Sequence, residues 1–290
     1  MTRIAVVGAG AAGTLVALHL LRHAATGTLH LTLIDPDRRT GPGVPYRTTD
    51  PRHLLNVPAG KLSVTAAEPA DFVAWLAENG VPEASPEDFA PRELFGRYLS
   101  SAFEGARGDR VTRVHHRAVA VARHTGGLSV ALCNGDEVHA DTVVLAAGPN
   151  TPGTSWAPDW LRRSALFVSD PWRAGVLDNL PEDGDLLLVG TGLTLSTGQV
   201  FHACAVINCT GPQYDLTAGA DRLWSQLLAD GLARPGPLNL GLDTDTDGRL
   251  LPGVVPMWAI GPLRRGNLWE TTAFVEIRAQ AERLAALIGS

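Results

Sequence analysis

The sequence predicts an α/β chain organised on a parallel sheet, and three stretches carry that prediction. An apolar run, Ile4–Val7, passes through Gly8-Ala9-Gly10-Ala11-Ala12-Gly13 into a helical pattern over Thr14–Arg22. A second apolar run, His30–Ile34, then ends at Asp35. Further along, Asp141–Leu145 closes on Gly148-Pro149, and Met257–Ile260 closes on Gly261-Pro262 ahead of a helical pattern over Glu270–Leu287. Short continuous apolar runs punctuated by glycine and followed by helices read as strands buried on both faces.

Each element has its own justification. Gly8 permits a tight turn, Gly10 lets backbone N–H groups approach a pyrophosphate, and Gly13 lets helix and strand pack closely. Ala11 and Ala12 are small residues in the same turn. Asp35 stands where a carboxylate accepts from a ribose hydroxyl. A glycine-rich packing turn without nucleotide is the competing reading of this motif. The loop Gly41–Pro58 carries Tyr46, Arg47, Arg52 and His53. Apolar positions at helical spacing over Glu68–Asn79 and Arg92–Phe103 form a helical insertion at about 64–104. Gly126-Gly127 and Asn134-Gly135 mark the turns of a small antiparallel ribbon beginning near Arg117. Val138–Pro149 is paralleled by Phe201–Pro212, so two similar strands leave a dinucleotide domain and return to it.

Composition excludes several classes. Lys plus Arg number 24 against 30 Asp plus Glu, a net charge of −6, which offers no excess of positive charge for a phosphodiester backbone. Lys61 is the only lysine, so Schiff-base chemistry is set aside. The three cysteines, Cys133, Cys204 and Cys209, form no CxxC pair and predict neither a metal site nor a disulfide framework. A cytoplasmic protein without membrane attachment is expected. Ile4–Leu21 imitates a targeting segment but carries three glycines and lacks a cleavage region. Asp243–Gly248 imitates a calcium loop, yet its twelfth position is Val254, not Glu, so a solvated turn is expected. Arg264-Arg265 reads equally as a clamp for an anion or as an exposed basic turn.

Taken together, these stretches resemble the two-dinucleotide-binding flavoprotein superfamily. Gly43-Val44-Pro45-Tyr46, His53–Ala59, Gly190–Thr194, Gly261–Gly266 and Trp269-Glu270-Thr271-Thr272 resemble its FAD/NAD(P)-binding proteins of the YdhS-like type. The resemblance implies a Rossmann-like FAD-binding domain, three-layer ββα and glutathione-reductase-like, with a helical insertion and a vestigial second nucleotide lobe. It implies FAD with its adenosine over Gly8 to Asp35, its adenine against the backbone near Ala118 and Val119, and contacts at Ala147, Gly148 and Gly261. The isoalloxazine would lie near His53–Asn56 and Trp269–Thr272, where a helix start near Thr271 would favour the negative charge of reduced flavin. Trp269 reads equally as a cofactor wall or an ordinary core aromatic.

In such relatives Gly190-x-Gly192 opens a nicotinamide domain, but here only Leu193–Ala203 precede the next apolar strand. A full crossover alone takes about 10–12 residues. The expected organisation is therefore 1–149 as the first part of the FAD domain, 150–203 as a remnant lobe acting as a cap, and 204–290 as the return with the C-terminal helix.

The favoured functional reading is an FAD-dependent oxidase or dehydrogenase that takes a hydride from a small, nitrogen-containing metabolite onto flavin N5 and passes electrons to O2 or a separate acceptor. A monooxygenase or N-hydroxylase reduced by a separate reductase or loosely bound NAD(P)H is the alternative, and a non-catalytic FAD-binding protein a third. His53 is the candidate base, Asn56 a hydrogen-bond partner of flavin or substrate, and Tyr46 a further candidate. A homodimer is expected to cover apolar surface left by the missing domain.

Overall fold

The computed structural model describes the chain except residues 25–27, 149–152, 155, 172–174, 177, 179, 181–182, 191–201, 219–220 and 290. In chain order its elements are β1 (Thr2–Val7), α1 (Ala11–His23), β2 (Leu29–Ile34), the short α2 (Gly43–Tyr46), α3 (Asp71–Glu78), α4 (Arg92–Arg107), β3 (Val111–Val114), β4 (Ala118–His124), β5 (Gly127–Leu132), β6 (Glu137–Ala140) and β7 (Thr142–Leu145). They continue with α5 (Asp159–Arg162), β8 (Phe167–Val168), β9 (Leu186–Gly190), β10 (Ala205–Cys209), α6 (Arg222–Ala229), β11 (Met257–Ala259) and α7 (Phe274–Ile288). Met1–Arg47, Pro51–Gly148 and Tyr214–Ser290 form one compact unit, and Thr48–Asp50 with Pro149–Gln213 form a second.

The larger unit is built on a five-stranded parallel sheet of order β11-β7-β1-β2-β3. Val7 at the end of β1 is level with Ile34 on one side and Leu145 on the other. All five strands therefore deliver their carboxyl ends to one edge, the place where open α/β sheets hold ligands. Side chains alternate between two apolar layers. Ile4 and Val6 pack with α1, α4 and α7, while Ala5 and Val7 pack with the antiparallel ribbon β4-β5-β6 and α6. Ribbon, sheet and helices make the three-layer ββα arrangement of a glutathione-reductase-like domain.

Both helices of the expected insertion form, but α4 belongs to the main helical layer. Its Phe95, Tyr98, Leu99 and Phe103 are buried in the same core as Leu15 and Leu18 of α1. Phe72 of α3 and Phe274 of α7 both meet Phe95 edge-on, at 4.9 and 4.7 Å.

The smaller unit has a three-stranded parallel sheet of order β8-β10-β9. This corrects the expected boundaries. Ala205–Cys209 does not re-enter the large sheet; it pairs on both sides within the small one, and the chain returns to the larger unit at Tyr214. The parallel between Val138–Pro149 and Phe201–Pro212 thus joins strands of two different sheets. An apolar strand pattern specifies burial on two faces but not which sheet supplies them. The 191–192 part of Gly190-Thr191-Gly192 lies outside the described residues.

Candidate functional site

Residues predicted from sequence to hold the nucleotide converge at the carboxyl edge of the large sheet. Gly8 follows β1 with φ +105°, and a Cβ there would stand 2.4 Å from the Ala146 carbonyl oxygen. A Cβ on Gly13 would stand 1.9 Å from the Gly8 carbonyl oxygen, so α1 and β1 approach as only glycine allows. Gly10 caps α1 without any side-chain hydrogen bond, and the first turn, which includes Ala11 and Ala12, contains no acidic residue. The α1 amino end is thus left as bare, dipole-aligned N–H groups.

Asp35, directly after β2, accepts from Ala9 N–H at 2.7 Å through Oδ2 and from Asp37 N–H at 2.8 Å through Oδ1. It therefore fixes the glycine loop as well as standing where a ribose would come, and each carboxylate oxygen has further lone-pair capacity for a hydroxyl. Register slips between Ala118 and Ala120 in the β4–β5 pairing, so Val119 is the bulged residue. A bulge takes a residue's backbone out of the ladder, which suits the adenine contact expected of Val119. After β7, exposed Ala147 and half-buried Gly148, the latter with φ +73°, border the same edge. The bare helix end, the glycine contacts and Asp35 together fit a dinucleotide diphosphate and its ribose.

Beside this cradle lies the loop 41–47. A Cβ on Gly43, φ +56°, would be 3.1 Å from the Gly10 Cα. Two features of α4 that sequence reasoning missed hold this loop: Gly96, where a Cβ would meet the Tyr46 carbonyl oxygen at 2.4 Å, and Ser100, whose Oγ donates to the Thr40 carbonyl at 2.6 Å. Arg92, also missed, donates from Nε to the Leu54 carbonyl at 3.0 Å and from a terminal nitrogen to the Pro45 carbonyl at 3.5 Å. It joins the Tyr46 and His53 loops. His53 is half-buried, its carbonyl accepting from Arg92 N–H at 2.8 Å, and Asn56 is exposed. The Tyr46 ring meets Phe95 at 4.9 Å, and burial pushes its phenol up to about 12. At neutral pH Tyr46 can donate a proton but cannot serve as a base.

The late strand brings in the remaining predicted residues. Gly261, φ +68°, lies against α1, since its Cβ would be 3.7 Å from Ala12 Cβ. Its carbonyl accepts from the Thr271 hydroxyl at 2.6 Å, its N–H donates to Gln280 Oε1 at 3.0 Å, and Gln280 Nε2 donates to Thr271 Oγ1 at 3.2 Å. Gln280, inside α7, carries no motif that would single it out.

Three expectations here are corrected. The helix starts at Phe274, not near Thr271, because Thr271 is spent on Gly261. The N–H groups of Thr272 and Ala273 are not bare: Glu270 Oε1 accepts from them at 3.2 and 3.0 Å, and these bonds hold its carboxyl below the ordinary range. Trp269 is no core aromatic, being 77% exposed with the Arg265 guanidinium 4.8 Å from its ring centroid. Arg264 is neither a clamp nor an exposed turn. It is buried and donates to Thr244 Oγ1 and to the carbonyls of Asp245 and Thr246, pinning the turn once compared with a calcium loop. Among the described residues no cluster of His, Cys, Asp or Glu could hold a metal ion, and no helix is long and apolar enough to cross a membrane.

Comparison with solved structures finds the same fold along the whole chain. A flavin-containing monooxygenase from Stenotrophomonas maltophilia is 15% identical over 99% of this chain and 98% of its own, with a TM-score of 0.69. S-allyl-L-cysteine S-oxygenase from Allium sativum is 16% identical over 99% of this chain and 76% of its own, at 0.65. The bacillithiol disulfide reductase Bdr from Staphylococcus aureus is 12% identical over 99% of both chains, at 0.66. No curated protein matches the chain in sequence. These likenesses carry the superfamily fold and not the narrower YdhS-like affiliation. Residues 5–150, half of the chain, match the family model described as FAD-NAD(P)-binding, so the chain belongs to that FAD-binding family.

Proposed function

We propose that the protein is an FAD-dependent monooxygenase that transfers one oxygen atom to a small nitrogen- or sulfur-containing metabolite. Electrons come from a separate reductase or from loosely bound NAD(P)H. The observation that carries this reading is the end-to-end similarity to a flavin-containing monooxygenase and an S-oxygenase. The sequence adds an argument against the disulfide reductases of the same fold: its three cysteines include no CxxC dithiol to relay electrons. This places the alternative drawn from sequence ahead of the oxidase reading.

In this proposal the diphosphate lies on Gly8–Gly13 and the α1 amino end, the ribose on Asp35 and the adenine against Val119. The isoalloxazine lies towards His53, Asn56 and Trp269–Thr272, with Ala147, Gly148 and Gly261 at its edge. Arg92 positions the His53 loop, and His53 handles a substrate proton. The YdhS-like affiliation, resting on Gly43–Tyr46, His53–Ala59 and Trp269–Thr272, belongs to the same proposal. So does a homodimer: Leu186 and Leu188 of β9 are exposed, and sedimentation as a monomer overturns it.

The oxidase or dehydrogenase reading keeps one supporting observation. Residues 149–213, with three described parallel strands, are short for a complete nicotinamide domain. An anaerobic titration of FAD-loaded protein with NADPH and NADH, followed by admission of 18O2 with candidate amines and thioethers, separates the two. Labelled oxygen in the organic product supports the monooxygenase. Substrate-driven flavin bleaching without reductant, with peroxide as the only oxygen product, overturns it in favour of the oxidase.

A further inference from the structure

Two long helices begin beside one another at the carboxyl edge of the large sheet. Gly261, which leads into α7, lies against Ala12 in the first turn of α1 and against Ile277 in the first turn of α7. The two amino ends are furnished differently. That of α1 has no side-chain cap and no acidic residue in its first turn. That of the 15-residue α7 likewise has no side-chain cap but carries Glu276 in its first turn, and is preceded by Glu270, whose Oε1 accepts from Thr272 N–H at 3.2 Å, the Thr272 hydroxyl at 3.3 Å and Ala273 N–H at 3.0 Å. Three donors on one oxygen keep the carboxylate in place although Glu270 is exposed.

We propose that Glu270 is a positioning residue for redox potential: its hydrogen-bonded carboxylate adds a fixed negative charge to that of Glu276 at the start of α7, offsets the pull of the helix end on reduced flavin, and so keeps the bound FAD at low potential. The inference rests on the placement of the isoalloxazine near Trp269–Thr272 given under Proposed function. Reduced flavin is the more electron-rich state, so a carboxylate beside it disfavours reduction, whereas uncapped N–H groups favour it. A low potential makes the flavin a poor acceptor for weak hydride donors such as ordinary metabolites. It leaves strong reductants, a nicotinamide or a reductase, to load the electrons and oxygen to remove them. Arg265, which lies over Trp269 and acts electrostatically on Glu270, moderates this charge.

The test is the two-electron midpoint potential of FAD bound to the wild type, Glu270→Gln and Glu270→Asp, measured anaerobically against a reference dye. Glutamine keeps an amide oxygen to accept from Thr272 and Ala273 and removes only the charge; aspartate keeps the charge. The expected result is a reduction equilibrium at least tenfold more favourable in Glu270→Gln, about 30 mV for two electrons, with Glu270→Asp close to wild type. Trp269→Phe, read by flavin absorbance and fluorescence, checks the placement independently. An unchanged potential in Glu270→Gln with a Trp269-sensitive flavin overturns the role of Glu270 alone. An unchanged potential with a flavin blind to Trp269 overturns the placement, and the inference falls with it.

Discussion

Gly13 lies so close under the Gly8 carbonyl that even a methyl group has nowhere to go, because the neighbouring atom at 1.9 Å is backbone. Gly13→Ala is expected to destabilise the protein by about 3 kcal/mol, the upper range for overpacking, and to abolish FAD retention on a desalting column. Urea unfolding measures the first effect and the absorbance of the eluted protein the second. Arg264 predicts the opposite pattern. Its buried guanidinium holds Thr244, Asp245 and Thr246, so Arg264→Leu removes those bonds at a cost of about 1–3 kcal/mol. FAD affinity is expected to stay within a factor of two by fluorescence titration, and a tenfold loss would restore the anion-clamp reading. Glycine positions were legible from sequence because their constraint is local: strand, turn and helix follow without interruption. Gln280 was not, and the bonds that Arg264 and Glu270 make were not, because they depend on which carbonyls and N–H groups the fold brings to them.

At the scale of elements, α1 is tied to the residues before α3 by a buried histidine. His19 Nε2 donates to the Val64 carbonyl at 3.0 Å, with Glu282 of α7 at 3.9 Å and Arg22 and Arg278 also acting on it. Burial lowers its pKa below the ordinary 6.5, so the unfolded chain takes up a proton before the folded one does. The stability that neutral His19 contributes is complete above about pH 6.5 and is lost as pH falls from there towards the folded pKa. The urea midpoint is expected to fall more between pH 7.5 and 5.5 in the wild type than in His19→Gln, whose amide still reaches a carbonyl acceptor. Equal slopes would sink the assignment. Elements were read well where periodicity is strong: the ribbon turns at Gly126-Gly127 and Asn134-Gly135 stand where the sequence puts them. The address of β10 was misread because Ala205–Cys209 has the same apolar pattern a strand of the large sheet would have. The start of α7 was misread because the threonines before it serve Gly261 and Glu270 rather than the helix.

For the whole molecule, FAD binding and folding are linked. A ligand held by the native glycine loop and not by the unfolded chain stabilises by about 2.7 kcal/mol at a hundredfold excess over its Kd. Thermal unfolding is expected to move upward with FAD concentration in the wild type and not in Gly13→Ala. A wild-type midpoint indifferent to added FAD would contradict the site. The fold class and cofactor were legible at this scale because the three glycine-terminated strands are spread along the chain. The choice between oxygenase and oxidase was not, since one flavin fold serves both chemistries and the distinction lies in how electrons reach it.

The order of strands also governs when the protein can fold as it is made. β11 completes the large sheet beside β7, and α7 lays Phe274, Ile277, Ala281 and Leu284 on the core that α1 shares. Until β11 and α7 have been synthesised, β7 lacks its outer neighbour and the apolar face of α1 lacks part of its cover, although the nucleotide-binding turn precedes both by more than 200 residues. The large unit therefore closes late in the order of synthesis, with an unpaired parallel edge on β7 in the meantime.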